Sequence, residues 1–152
     1  MDKLRTLRQT RLFEALPEPE LVKLAALAKA SRFNQGDAIC REGESGSELF
    51  VLVHGSVRAT KGGNDEDVAT IGSGSYFGEM SMASPDHKRA ATIRALEDSE
   101  VLVISGDAIN ALADQDASFG YAFYRALACG LAQRMRVAAN DVALLKSLAR
   151  KS

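Results

Sequence analysis

Between Phe33 and about Ile104 the chain is a succession of short apolar runs separated by turn residues. The runs are Ala38–Cys40, Leu49–Val53, Ser56–Thr60, Val68–Ile71, Ala91–Ala95 and Glu100–Ile104. Turn signals stand between them at Gly36-Asp37, Gly43-Glu44-Ser45-Gly46, Gly62-Gly63-Asn64-Asp65 and Gly72 to Gly74. Each run is long enough for a strand and too short for a helix. Many short strands at a spacing of roughly 8 to 12 residues predict an antiparallel roll or barrel.

The flanks follow a different period. From Arg5 to about Ala30, Leu12, Phe13, Leu16, then Leu21, Leu24, Ala25, Leu27 and Ala28 recur at three and four spacing, with Pro17 and Pro19 between the sets. Two short amphipathic helices are expected there. From Gly106 onward the helical period returns. Leu131, Met135, Ala138, Val142 and Leu145 form a heptad seam, and Leu127, Gly130, Val137, Leu144 and Leu148 form a stripe beside it. Two stripes imply two neighbours, the chain's own roll and a partner helix; one wide stripe packed on one core is the alternative. The expected organisation is a single domain over 1–152, with helices over 1–32, the roll over 33–105 and helices over 106–152.

With 152 residues, 46% of them hydrophobic, the chain can bury one core. Its 19 Lys and Arg against 20 Asp and Glu leave no global positive field for a nucleic acid backbone, so direct nucleic acid binding is not expected. No apolar run is long enough to span a bilayer and none follows the charges of the amino terminus, so no membrane partner and a cytoplasmic location are expected. Cys40, Cys129, His54 and His87 share no ligand spacing, which argues against a structural metal or a disulfide. Cys129 reads as a small buried packing residue. His87 reads as an exposed loop histidine or as a pH-dependent phosphate contact.

The segment from Tyr76 to Thr92, YFGEMSMASPDHKRAAT, carries the chemistry. After Phe77-Gly78-Glu79, the residues Met80 to Ala83 suit one short helical turn, whose first amides are free to receive an anion while glycine lets a ligand approach the backbone. Arg89 is followed by Ala90 and Ala91, which leave its guanidinium accessible, and a planar fork of donors matches phosphate oxygens. The Glu79 carboxylate only accepts, as a ribose hydroxyl requires. Two readings stay open on this ground: Glu79 and Arg89 bridge each other, or both face a sugar phosphate.

Phe77-Gly78-Glu79-Met80-Ser81-Met82 through Arg89-Ala90-Ala91-Thr92 resembles the phosphate-binding cassette of the cyclic-nucleotide-binding domain family. Gly36-Asp37-Ala38-Ile39, Gly43-Glu44, Leu49 to Val53 and Gly55-Ser56-Val57 resemble that family's β-roll signature, and Leu12 to Leu16 its opening helix. Within the family the chain is most similar to the sensor domain of the bacterial cAMP receptor protein group, without the helix-turn-helix domain that follows there. The resemblance implies an α+β fold: a jelly-roll barrel of about eight antiparallel strands, N-terminal helices, a cassette helix within 77–92 and a long C-terminal helix that dimerises.

By motif position, the resemblance implies that Arg89 binds the phosphate with the amides around Ser81, Ala90 and Ala91. Glu79 accepts from the ribose 2′-hydroxyl, with Gly78 and Met80 beside the sugar. Val57, Ala59, Ala69 and Ile71 wall the pocket, and Arg134 faces it from the helix. Lys88 stands where many members have proline, and Ala138-Ala139 where the receptor group has hydroxyls that contact adenine. Ala90, in place of a threonine or serine after the arginine, favours cAMP over cGMP. The expected protein is a non-catalytic sensor with no cofactor, a homodimer acting on an unknown downstream protein. A degenerate fold kept for dimerisation or protein interaction, and a sensor fragment of a larger transcription factor, channel or kinase regulator, are the alternatives. A metal-dependent cupin would need clustered histidines, which two histidines do not supply.

Overall fold

Pro17 and Pro19 fix where the second helix starts, because a helix's first turn needs no amide donor from its leading residues. The computed structural model describes residues 2–62 and 66–151. Helix α1 spans Lys3–Arg8, capped by the Asp2 carboxylate on the Arg5 amide at 3.1 Å. A 3-10 turn follows at Arg11–Phe13, and α2 spans Glu18–Leu27 with Glu18 and Glu20 in its first turn, where the helix dipole favours acids.

The expected helical stretch ended too late. Ala28–Phe33 is a strand, β1, paired antiparallel with Ser99–Ile104 from Ala28↔Ile104 to Phe33↔Ser99, so the helical boundary at 32 moves back to Leu27. The sequence AKASRF has no strand alternation of its own; pairing with a strongly apolar partner overrides its local preference.

The remaining strands are β2 (Ala38–Cys40), β3 (Leu49–His54), β4 (Ser56–Lys61), β5 (Glu66–Gly72), β6 (Tyr76–Phe77), β7 (Thr92–Ala95) and β8 (Ser99–Ile104). They form two four-stranded antiparallel sheets, ordered β1-β8-β3-β6 and β2-β7-β4-β5. The turn expected at Gly63-Asn64-Asp65 lies outside the described residues. Two-residue β6 gave no periodic signal to read.

Strand β3 shows why the roll needs helices. Its side chains alternate between two cores: Leu49 and Val51 pack toward the helices, while Phe50 and Leu52 point into the roll. A strand covered on both faces is continuously apolar, as LFVLV is. Strand β8 divides likewise, with Leu102 and Ile104 on the helical side and Val101 inside.

Helix α4 (Gly106–Gln115) starts at Ser105, which accepts from the Ala108 amide at 3.2 Å, and α5 runs from Ala117 to Lys151. The first part of α5 is anchored by Phe119, Phe123 and Leu127, all buried with Phe13 and the α2 leucines. Full burial of such side chains contributes about 1.5–3 kcal/mol each. At Gly130 the helix presses so closely that an added Cβ would lie 2.6 Å from Leu12 Cδ1 and 2.9 Å from the Tyr76 hydroxyl. Past Leu131 every described side chain is exposed, Met135 at 73% and Leu145 at 65% among them. Beyond that point α5 no longer packs into the core, and Arg134, Val137, Ala138 and Asp141 face the roll across a cavity. Cys129, expected in the core, is on the exposed side.

Candidate functional site

Helix α3, Glu79–Ala83, begins on Gly78, whose φ of +89° is the left-handed conformation that glycine adopts without strain. A Cβ there would sit 2.7 Å from the Glu48 carbonyl oxygen and 3.0 Å from an Arg89 nitrogen. The loop after α3 is laced to the Gly43–Gly46 turn. The Gly43 amide donates to the Arg89 carbonyl at 2.9 Å, the Arg89 amide to the Glu44 carbonyl at 2.8 Å, and the Gly46 amide to the His87 carbonyl at 2.8 Å. Ser81 Oγ also donates to the Gly46 carbonyl, and His87 Nδ1 lies 3.1 Å from the Ser81 carbonyl oxygen. His87 is exposed as a residue, yet its ring is turned back onto the cassette helix.

The two charges do not bridge each other. Arg89 is 5% exposed and its Nη2 donates to Glu48 Oε2 at 2.6 Å, while Nη1 donates to the Glu48 carbonyl at 3.0 Å and the Gly78 carbonyl at 3.4 Å. Its guanidinium stands 5.2 Å from the centre of the Phe50 ring, which stacks on Phe77. Glu79 is 2% exposed and is paired with Arg134 of α5. Arg134 also donates to the Tyr76 carbonyl at 2.8 Å and lies 4.0 Å over the Tyr76 ring. Burial pushes the Tyr76 phenol pKa up, with the Arg134 charge opposing.

These groups share one cavity of about 470 Å³ between the roll, α3 and α5. Gly78, Glu79, Met80, Ser81, Arg89, Ala90 and Ala91 line one side, Ala59, Ala69 and Ile71 another, and Arg134 the helical side. Among the described residues the Ala90 and Ala91 amides donate to no protein acceptor. Val57 differs from expectation: it shares a sheet face with Ala59 and with Ile71, its partner across β4 and β5, but it is wholly buried among Phe50, Leu52 and Val101 and does not line the cavity. The strand period gives Val57 and Ala59 one face, and the roll's own core side chains cover that face at Val57.

Sequence reasoning missed Glu48, the partner of Arg89, and the wall residues Cys40, Phe77, Ile93, Val137 and Asp141. Ala138, singled out for its missing hydroxyl, is on the wall. Glu48 lies 41 residues from Arg89, and no spacing rule links the two. The Cys40 thiol pKa is pushed up by burial, with the Arg89 charge pulling the other way. Among the described residues no group of three or more His, Cys, Asp or Glu side chains could hold a metal. Among the described residues no helix is long and apolar enough to cross a membrane.

The chemistry is divided along the cavity. A buried guanidinium and amides without a protein acceptor are donors suited to an anion, a buried carboxylate is an acceptor suited to a hydroxyl, and alanines with Ile71 and Val137 make an apolar stretch of wall.

Comparisons with known proteins give the family and the fold. A family model described as "Cyclic nucleotide-binding domain" covers residues 30–116. Human cGMP-dependent protein kinase 2 is 36% identical over 108 residues, which are 68% of this chain and 14% of the kinase, so the chain spans about a seventh of that relative's length. The crystal structure of the Thermus thermophilus Catabolite Activator Protein superposes with a TM-score of 0.73 at 28% identity, covering 90% of this chain and 63% of that one. The regulatory domain of Toxoplasma gondii PKA, crystallised with cAMP, gives 0.66 at 27% identity over 71% of this chain and 42% of that one. The roll, the glycine-started cassette helix and these matches agree: the chain belongs to the cyclic nucleotide-binding domain family.

Proposed function

We propose that the chain is a non-catalytic sensor of a cyclic nucleotide, without a cofactor, that signals occupancy through α5. The observation that carries this reading is the convergence of two nearly buried charges, Arg89 and Glu79, with the unused amides of Ala90 and Ala91 on one cavity wall. The phosphate takes Arg89 and the amides of Ser81, Ala90 and Ala91. The ribose 2′-hydroxyl donates to Glu79, with Gly78 and Met80 beside the sugar. The base lies among Ala59, Ala69 and Ile71 under Ala138, with Val57 buried next to them on the same sheet face. Ala90 offers no hydroxyl to the base, which favours cAMP; the cAMP bound by the Toxoplasma gondii relative supports the same choice.

Arg134 links ligand to helix, because the carboxylate it holds is the one the ribose needs. Such a link shifts the position of α5 only if the nucleotide binds one helix arrangement more tightly than the other. The exposed apolar residues of α5 past Leu131 support a homodimer through that helix, with a downstream protein reading the pair. The near-neutral charge supports a protein that does not bind nucleic acid directly, and a cytoplasmic location without a membrane partner completes the reading. Calorimetric titration of nucleotide-free protein with cAMP and cGMP tests the reading: saturable heat with either supports it, and none with both at micromolar protein ends it.

A further inference from the structure

A second cavity lies behind Arg89. Its volume is about 350 Å³, near the lower end of small-molecule sites, and it shares Arg89 and Cys40 with the nucleotide cavity. Phe33, Ile39, Phe50 and Val103 make its apolar walls, and Glu44, Ser45 and Glu48 its polar edge. We propose that this cleft binds a small organic cation, an ammonium on an apolar body, and that its occupancy strengthens nucleotide binding through Glu48 and Arg89.

The charge pattern selects the cation. The lining charges are two carboxylates and one guanidinium, and the Arg89 guanidinium already donates to Glu48 and Gly78. The Glu48 side chain is 46% exposed and commits Oε2 to Arg89; Oε1 has no hydrogen bond among the described residues. Glu44 is 3.6 Å from Arg41 in an exposed pair, which leaves its carboxylate open to a further donor. Open acceptors over an aromatic floor suit an ammonium and repel an anion.

The same residues provide the coupling. Glu48 partly cancels the positive charge that Arg89 presents to a phosphate. A cation on Oε1 offsets that carboxylate, so the field at the anion end of the nucleotide cavity becomes more positive. The roof of the cleft, the Gly43–Gly46 turn, is hydrogen-bonded to the cassette exit at His87 and Arg89 by three backbone bonds, so ordering the roof also orders the cassette. Coupling between two sites is reciprocal: the nucleotide must tighten the cation by the same factor.

The coupling rests on Arg89 as the phosphate ligand, whereas binding in the cleft does not, and the test separates them. Amide chemical shifts of the full chain are followed during titration with 2-phenylethylammonium to about 10 mM, enough to saturate a millimolar site. Benzoate and toluene are matched controls, and the calorimetric nucleotide titration is repeated with the amine present. Saturable shifts at Phe33, Ile39, Ser45 and Phe50, absent with benzoate and lost in Ile39→Trp, together with nucleotide affinity raised at least about threefold, are the expected result. Where Ile39→Trp does not fold, Glu44→Gln must weaken the amine at least about threefold. No saturation, equal response to benzoate, or shifts confined to α5 overturn the site. Unchanged nucleotide affinity at saturating amine overturns the coupling. A chain that binds no nucleotide at all sinks the sensor reading while the amine titration still decides the cleft.

Discussion

Arg134 on α5 holds the buried carboxylate of Glu79 at the start of the cassette helix, 55 residues earlier in the chain. Of the two partners Glu79 is almost wholly enclosed while Arg134 is 43% exposed. Removing the arginine therefore leaves an unpaired carboxylate in the wall, whereas removing the carboxylate leaves a cation that water can reach.

Arg134→Ala should destabilise the fold by about 1–3 kcal/mol, the cost of a buried group left without its partner. Glu79→Gln should cost less. In urea unfolding, the double variant should recover part of the Arg134→Ala loss, giving a coupling above about 0.5 kcal/mol. Strict additivity would mean that the contact adds nothing to stability.

Gly130 is where α5 seats tightly on Leu12 and Tyr76. Gly130→Leu forces side-chain atoms into Leu12 and the Tyr76 hydroxyl and should cost about 1–3 kcal/mol, despite the better helix propensity of leucine. Urea unfolding measures the loss, and an unchanged midpoint would contradict the close seat.

Leu145 lies on the exposed heptad seam and away from the nucleotide cavity. Leu145→Glu should turn a concentration-dependent dimer into a monomer in sedimentation velocity. Like charges facing each other on paired helices oppose the seam. A wild-type chain that stays monomeric at high micromolar concentration would remove the dimer from the account.

Asp116 joins α5 to α2. Its carboxylate accepts from Lys23 at 2.6 Å and from the Phe119 amide at 3.1 Å, and these bonds, that of Lys23 first, lower its pKa. A lowered folded pKa gives stability that is present above the unfolded value of about 3.9 and is lost as pH falls through the folded value. The melting-temperature gap between wild type and Asp116→Ala should be open at pH 7 and close below that range. A gap that persists in acid would assign the effect to packing.

The legible and illegible parts of this chain divide by how local their causes are. The six strand runs named from the sequence each coincide with a strand, Ala91 alone standing just outside β7, because period and turn chemistry act within a few residues, and the cassette helix appears where Gly78 permits it. β1 was hidden because AKASRF becomes a strand only beside β8, and β6 because two residues carry no period. At the site, Glu79 and Arg89 were visible as charges in apolar surroundings, and the choice between mutual pairing and outside partners was not. That choice depends on Glu48 and Arg134, which the fold brings in from 41 and 55 residues away. Val57 has the face expected of it but is covered by Phe50, Leu52 and Val101, since strand position alone does not say how far along a face the packed core reaches.

The central claim is that Arg89 is the phosphate arm of a nucleotide site. Calorimetric titration of wild type and Arg89→Ala with cAMP, both first shown to be folded and nucleotide-free, tests it most directly. Losing one partner of a buried charge contact should weaken binding by about 2–4 kcal/mol, roughly 30- to 1,000-fold in Kd. Equal affinity in the two proteins would contradict the claim.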